Sequence, residues 1–599
     1  SGIRDADNND IEIRYSDTKG KRTITIVAPD QSETVLYFDA TKEFLLHDDE
    51  HDWDISDTYW ILTAIQYPSG ETTEFSFQRM SALVYHHLNG RYAQDSLDFM
   101  LLTEVRFPTG SALQYQYEEA PAFIGGDGAD RAFRIIMRSM VDASKGVRSN
   151  VYKYDSSYTA MSSKKEKDTY SVEVVPQQAD LCKQKYTFNT KHRCILEQHL
   201  SGSTVLRETE TAYDSWGFPR QVVKRQYGNK KSTVLEATEL FTYSLSGNLM
   251  TYFSPKAEGN ANNTDYRTTY TYDSAYNLPL TVEYKQDAAT TIKTVNTLAE
   301  DKKSIAETAT YVNNTLTALT TYTYNARGQV TAKTDCLDLA AKTGVTTVYT
   351  YDGANLATET ITGLADADGN PLPGLVTAYT YDTMGRLLTA TDAAGRTTTN
   401  TYDVRGRLLT TTAPDGSVTA YTYDLTANDT TVSQPGREDI VVDFDSLGQK
   451  QAVYYPSGDL QKEYYYDTAG RLVIEATGRG SSAANTVYYT YDPLDRLIEK
   501  RICDKDGVEL YRENTAYDDA LTETQSLVTK TVHGEDGAPS TVAKTYINAY
   551  GETVREDVGG VVTDYAYDFV GNRTCTSYTE DGRTISASGT YDFRGNVLT

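Results

Sequence analysis

The chain has 599 residues, and its 57 basic against 84 acidic side chains leave a formal charge of −27. That balance repels phosphate backbones and argues against a nucleic-acid surface, while no run approaches the 18 apolar residues of a membrane-crossing helix. Apolar residues make up 39%, and Tyr outnumbers Phe 48 to 15, so dry core is scarce and most aromatic surface keeps a hydroxyl in need of water or a partner.

In chain order, the first ten residues, "SGIRDADNND", carry no signal-peptide apolar stretch and are set apart as a leader. From residue 11 the chain reads as one array of about twenty related units, divergent over 11–320 and regular over 321–599. In the divergent part the surviving landmark is a Pro-x-Gly turn ahead of an aromatic pair: Pro68-Ser69-Gly70 before Phe75 and Phe77, then Pro108-Thr109-Gly110 before Tyr115 and Tyr117. The segment 131–141, "RAFRIIMRSMV", reads as a strand in repeat register, with a helix as the alternative because Phe133, Ile136, Met137 and Met140 also fit helical spacing. A Tyr-Asp anchor with Gly three residues on then emerges at Tyr213-Asp214 and Gly217, and weaker copies stand at Tyr243, Tyr272, Tyr324 and Tyr351.

The unit is plainest from 378 onward. Tyr381-Asp382 with Gly385-Arg386, Tyr402-Asp403 with Gly406-Arg407, and Tyr423-Asp424 follow one another at intervals of 21 residues. Further anchors are Tyr466-Asp467 with Gly470-Arg471, Tyr567-Asp568 with Gly571, and Tyr591-Asp592 with Gly595. "SVTAYTYD" is rich in strand formers and has no helical period. Asp at the first place of a type I turn and Gly at the fourth, in the left-handed region, make the bulged turn of a short hairpin. The chain returns as "RLLTATD" and turns again at a Gly-centred loop, so each unit predicts one antiparallel hairpin that must pair with its neighbours. Twenty such hairpins make a ribbon about 190 Å wide with strands of about seven residues, which winds about one and a half times if it closes at about 40 Å diameter.

These anchors, with their Gly-Arg step and 20–30-residue period, resemble the YD repeats of Rhs proteins, which are related to those of the B and C components of insecticidal Tc toxins and of teneurins. The resemblance implies an all-β fold of antiparallel hairpins wound as a spiral sheet into part of a hollow shell. It also implies that the chain helps encapsulate a C-terminal toxin or core domain lying beyond Thr599, with a delivery-system component as a second partner and a secreted or cell-surface location. No membrane insertion by this segment is expected. The final hairpin at Tyr591 reads as cut within a repeat.

Chemistry-bearing motifs are few. The family's self-cleavage site uses paired Asp-Pro-x-Gly motifs; Asp492-Pro493-Leu494-Asp495 comes nearest but lacks the Gly and sits in register as an ordinary repeat. His47 and His51 in "HDDEHDWD" are spaced for a metal on a helix, yet read more simply as an acidic loop. His192 and Cys194, with Cys182 or His199, match no common zinc spacing. Asp366 to Asn370 resembles the start of a calcium loop without its downstream acids, and "KKEK" at 164–167 reads as a solvated loop. Five cysteines form no disulfide framework. The chain is therefore expected to be no enzyme and to need no cofactor or metal. The competing reading is a surface adhesion or glycan-binding module, since rows of Tyr with Asp and Asn can stack on sugars.

Overall fold

The computed structural model describes residues 2–4, 10–28, 30–48, 53–88, 91–121, 131–142, 146–154, 169–178, 180–229, 233–424, 428–455, 457–478, 485–534, 538–580 and 583–598. Forty-four strands, from Gly2–Arg4 to Arg583–Ser588, belong to one sheet. Each pairs antiparallel with the strand before and after it in sequence: the strand Leu387–Thr391 meets Leu375–Tyr381 on one side and Thr397–Tyr402 on the other. The fold is thus an unbroken meander, and the only helical pieces among the described residues are 3-10 turns at Pro255–Ala257 and Thr264–Tyr266. Segment 131–141 lies in the strand Arg131–Asp142, paired with Ala112–Pro121 and Gly146–Tyr154, which removes the helix alternative. No helix among the described residues is long and apolar enough to cross a membrane.

Strand height departs from the seven-residue expectation in the first third. The strands Glu33–Asp48, Thr72–Leu88 and Arg91–Arg106 run 16, 17 and 16 residues, whereas Leu387–Thr391, Leu408–Thr412 and Asp429–Ser433 run only 5. Turns alternate between the two long edges of the ribbon, and every Tyr-Asp turn falls on the same edge. The Gly-centred and Pro-x-Gly turns, 107–110 and 413–416 among them, occupy the other.

The ribbon coils so that the Tyr-Asp edge of its second turn rests on the Gly-turn edge of its first. Ser446 O accepts a 2.7 Å bond from Thr109 Oγ1, and Gln449 Oε1 accepts one of 2.6 Å from Arg148. Cys182 N–H donates to Pro493 O at 3.2 Å, and Phe569 N–H donates to Gln286 O at 3.0 Å. The joined turns lie 23 to 25 strands apart in chain order. At about 4.8 Å per strand that is a circumference of about 110–120 Å, or a diameter of about 35–38 Å. With 44 strands the ribbon makes nearly two circuits rather than one and a half, because the ring is tighter than assumed and the strands more numerous.

The accessible surface is 34352 Å² for 66.6 kDa. A compact monomer of that mass exposes only about 21,000 Å², so most of the sheet is wetted on both faces. Burial gathers where coils meet: Ala520 is 1% exposed, Ala257 1%, Ile292 1% and Asp445 2%.

Candidate functional site

The repeating Tyr-Asp turn is the unit from which the wall is made. In the turn Asp382–Gly385, Gly385 N–H donates to Asp382 O at 3.0 Å, and Gly385 has φ +75°. Asp382 Oδ1 accepts from the N–H groups of Met384 and Arg386, and its Oδ2 accepts from Arg386 Nε at 2.5 Å. Asp403 with Arg407 and Asp467 with Arg471 repeat this, with Gly406 and Gly470 at φ +80° and +87°. Burial alone would raise the pKa of these three aspartates, but the N–H groups and the guanidinium outweigh it and hold each carboxyl below its ordinary value. The sheet register slips by one residue at Tyr381, Tyr402 and Tyr466, where the turn inserts its bulge.

Each turn also grips the next repeat. Tyr402 Oη donates to Leu387 O at 2.9 Å, and Tyr423 Oη to Leu408 O at 2.8 Å. Tyr213, Tyr466, Tyr567 and Tyr591 make the same bond to Cys194, Lys450, Thr553 and Arg573. Arg386 lies 5.2 Å from the ring centre of Tyr402, Arg407 4.2 Å from Tyr423 and Arg471 5.1 Å from Tyr491. Tyr, Asp, Gly and Arg thus do four separate jobs: a bond back to the preceding repeat, a clamp on the turn, the left-handed corner, and a cation over the following Tyr. On the opposite face from Tyr381 and Tyr402, paired threonines bridge the strands, Thr380 to Thr389 at 2.6 Å and Thr401 to Thr410 at 2.7 Å.

Variants of the motif keep its geometry with other atoms. At Asp568 and Asp592 the Arg is replaced by Asn572 and Asn596, whose Nδ2 donates to the same carboxylate oxygen at 2.7 and 3.0 Å, with Gly571 and Gly595 at φ +95° and +80°. Asp214 accepts from Trp216, Gly217 and Phe218 N–H with Oδ1 alone, and Gly217 has φ +100°. Asp424 departs from the pattern. It ends the strand Val418–Asp424 directly opposite Asp429, because no Gly stands three residues on and Asn428, at φ +57°, takes the corner instead.

The other singled-out residues fall into turns and strands. Asp492 clamps Leu494 and Arg496 N–H, with Asp495 at φ +63° in the Gly place. Asp366 accepts from Asp368 and Asn370 as a turn clamp. His192 Nδ1 sits 3.1 Å from Tyr170 Oη, Cys194 pairs in register with Phe188, and Cys182 lies at the coil junction. His51 and the "KKEK" run lie outside the described residues, as does the side chain of His47. Among the described residues no group of three His, Cys, Asp or Glu is placed to hold a metal ion.

What the sequence did not reveal is the seam between coils. Arg471, already bound to Asp467, reaches Asp180 of the first coil at 2.8 Å and Asp495 of the next repeat at 3.0 Å. Lys256 Nζ lies 2.6 Å from Glu552 and donates to Asp568 O at 2.8 Å. Arg405 meets Ser69 and Glu71, Arg207 meets Asp519 at 3.5 Å, and Phe569 packs edge-on to Tyr266 at 4.8 Å. At Gly228 a Cβ would meet Ala520 O at 2.2 Å, so only glycine lets the coils approach there. Cavities of about 830 and 670 Å³ remain along this line, the first beside Ile292, Tyr591 and Phe593, the second beside Asn229, Pro493 and Asp519.

Residues 370–462 match the family described as Teneurin YD-shell. Among curated proteins none matches by sequence. Solved structures that resemble the chain include the TcdB2-TccC3-Cdc42 complex, at 14% identity and TM-score 0.40 over 98% of this chain and 27% of that one. They also include the Photorhabdus luminescens Tc holotoxin pore, at 12% identity and TM-score 0.42 over 96% of this chain and 32% of that one. The chain spans about a quarter to a third of the length of these structures.

Proposed function

We propose that this chain, whose residues 370–462 match the Teneurin YD-shell family, is a wall segment of a secreted or surface-delivered Rhs-type shell that encloses a polypeptide toxin. The reading rests on one observation above others: a single-layer sheet coils nearly twice, edge upon edge, while exposing about 1.6 times the surface of a compact protein of its mass. A wall of this kind encloses space without filling it. The repeated residues are committed to turns and to neighbouring repeats, so the work assigned to them is construction; chemistry belongs to whatever the shell contains. Housing a cargo and working with a delivery component are parts of this proposal, as is the secreted location.

Protease protection in the full-length gene product tests it. A polypeptide held inside should resist digestion while the seam is closed and become cleavable when Gly228→Val and Lys256→Met open it. Digestion at the same rate with the seam intact or opened would sink the enclosure reading. Small-angle scattering of the chain alone should give the distance distribution of a hollow cylinder about 35–40 Å across.

A further inference from the structure

Beside the Arg471 junction the two coils close over a cavity of about 320 Å³. One wall is a row in register across four strands of the first coil: Val174 faces Gln184, Gln184 faces His199, and His199 faces Arg207. Asn150, from the strand before that of Val174, completes this wall. The other wall is the second-coil turn Pro493-Leu494-Asp495, tied to the first by the 3.2 Å bond from Cys182 N–H to Pro493 O.

Several polar groups on the first wall are left unused by the fold. Gln184 Oε1 accepts from Tyr186 Oη at 2.9 Å, but its Nε2, and the whole side-chain amide of Asn150, make no bond among the described residues. Arg207 lies 3.5 Å from Asp519, whose shorter bond, at 2.6 Å, is to Arg496, and Arg207 Nε is buried without a partner. The opposite wall supplies an acceptor: the Asp495 side chain is 64% exposed and meets Arg471 through Oδ1 alone. Val174, Leu181 and Leu494 add an apolar surface between them.

We infer that this cavity is a site for one small neutral polyhydroxylated ligand, a single sugar ring or a cyclic polyol, held between the coils. Its volume of about 320 Å³ lies at the low end of the range of small-molecule sites, about 300–1,000 Å³, so a ring fits and an oligosaccharide does not. Ligand oxygens accept from Asn150, Gln184 and Arg207, a hydroxyl donates to Asp495, and the C–H face lies on Val174, Leu181 and Leu494. Water alone would wet that apolar surface without covering it. An anion is disfavoured, because the carboxylates of Asp180, Asp467, Asp492, Asp495 and Asp519 outnumber the guanidiniums of Arg207, Arg471 and Arg496 around the cavity. A purely apolar ligand would leave the amides and Arg207 buried without partners. Since the walls belong to different coils, occupancy holds them together and stabilises the seam by linkage. The site depends on the seam and not on anything being enclosed, so it stands or falls separately from the toxin-shell proposal.

Saturation-transfer NMR on the whole chain tests it, with free hexoses, N-acetylhexosamines and inositol as probes at millimolar concentration. At least one probe should receive saturation, and calorimetry with inorganic phosphate should show weaker binding or none. Gln184→Met should weaken binding of that probe about fivefold, and Asp495→Gly about tenfold or more, because a charged acceptor is lost. Glycine suits the φ of +63° at position 495, and circular dichroism checks that both variants keep the β-sheet. The bound probe should raise the thermal midpoint of the unaltered chain more than that of either variant. Thr529→Val, in the larger cavity farther along the seam, should leave affinity unchanged. Saturation of no hydroxylated probe, tighter binding of phosphate, affinity indifferent to a substitution on either wall, or an equal loss in Thr529→Val would each overturn the inference.

Discussion

One edge of this sheet exists in two settings. Along the second coil its Tyr-Asp turns sit on a neighbouring coil; along the first coil the same turns face solvent. Gly217 and Gly385 both occupy the left-handed region, and Asp214 and Asp382 both clamp their turns, so the turn is built alike whether or not anything rests on it. What differs is the tip and its company. Ala520 is buried against the Gly228 loop and Pro493 O is taken by Cys182 N–H, whereas Trp216 and Leu245 project into water, as do Val404 and Val570 where seam-edge turns leave a tip uncovered. The repeat motif therefore encodes the hairpin, and the residues between its fixed points encode how coils stack.

The sharpest way to break that division is to crowd the seam while leaving every turn intact. Gly228→Val places side-chain atoms where Ala520 O already stands, and neither backbone has room to retreat without parting the coils. Its cost should be about 2–3 kcal/mol, as for overpacked interiors. Gly416→Val on the free rim meets nothing within 4 Å and suffers only the strain of its positive φ, +81°, at the lower end of about 1–3 kcal/mol. Equal denaturation midpoints for the two variants would refute the claim that the seam bears on stability.

Next in size is Lys256→Met. Lys256 and Glu552 are 14% and 15% exposed at their side chains and span the seam at 2.6 Å, so removing the amine leaves a largely buried carboxylate without its cation, held by Asn548 Nδ2 at 2.8 Å. Loss of one partner of a fully buried pair costs about 3–5 kcal/mol, and the residual water contact here lowers the expectation to about 2 kcal/mol. Lys256→Met with Glu552→Gln should recover much of it; a double variant no better than the single one would show that the pair acts through packing alone.

The hairpins were legible in the sequence because every constraint on them is local. Asp382, Gly385 and Arg386 lie within five residues of one another, and the Tyr402 bond to Leu387 O spans only 15. The seam was illegible for the opposite reason. Arg471 and Asp180 are 291 residues apart, and their meeting depends on curvature summed over some two dozen strands, each contributing a small twist that no single repeat declares. Asp424 differs for a local reason too: Tyr423 keeps the bond to Leu408 O, but no Gly stands three residues on, and the positive φ falls at Asn428. The tall early strands escaped because segments such as Thr72–Leu88 continue past the length at which a turn signal was awaited.

Within the seam edge itself, Gly470→Val should cost more than Gly406→Val. Both force a β-branched residue to φ near +80°, a strain of about 1–3 kcal/mol. At Gly470 the new Cβ also lands 2.5 Å from Arg148 Nη1, the first-coil guanidinium that bonds Gln449, whereas Gly406 has only Arg386 atoms at 3.9 Å or beyond. Guanidine titrations of the two variants, compared with wild type, should separate by the part that belongs to the neighbouring coil.

Smaller effects come from protons, and they run in opposite directions at two sites. The Asp467 carboxyl is held below its ordinary pKa, since its bonds from Arg471 and Gln178 outweigh burial. A depressed folded-state pKa means stability that is present above the unfolded value near 3.9 and lost as pH falls through the folded one. Asp467→Asn should therefore destabilise at neutral pH and become neutral in acid. Asp443 is raised, by burial first and then by Asp429 directly opposite in register, despite a bond from Tyr454. Its sign is reversed: ionisation strains the fold at neutral pH, and the strain fades as pH falls through the raised value. Asp443→Asn should stabilise at pH 7 and do nothing below the unfolded pKa; stability curves parallel to wild type for both variants would contradict the assignment.

The smallest expected effect is the most instructive control. Arg396 and Asp392 reproduce the Asp-Arg clamp of the Tyr-Asp turns, with Asp392 Oδ2 accepting from Arg396 Nε at 2.7 Å, but on the free Gly-turn rim where the Arg side chain is 69% exposed. Arg471 makes the same clamp at 11% exposure, with two further carboxylates and the Tyr491 ring around it. If the clamp were valuable in itself, alanine at either position should cost alike. An exposed pair in water gains little, because solvent and salt screen it and the side chain loses rotamer freedom. Arg396→Ala should leave the thermal midpoint unchanged within error at any salt concentration. Arg471→Ala should lower it clearly, by freeing Asp180 and Asp495 from their shared cation and uncovering Tyr491. A matching loss at both sites would mean that the turn alone sets stability, and that coil contact adds nothing to it.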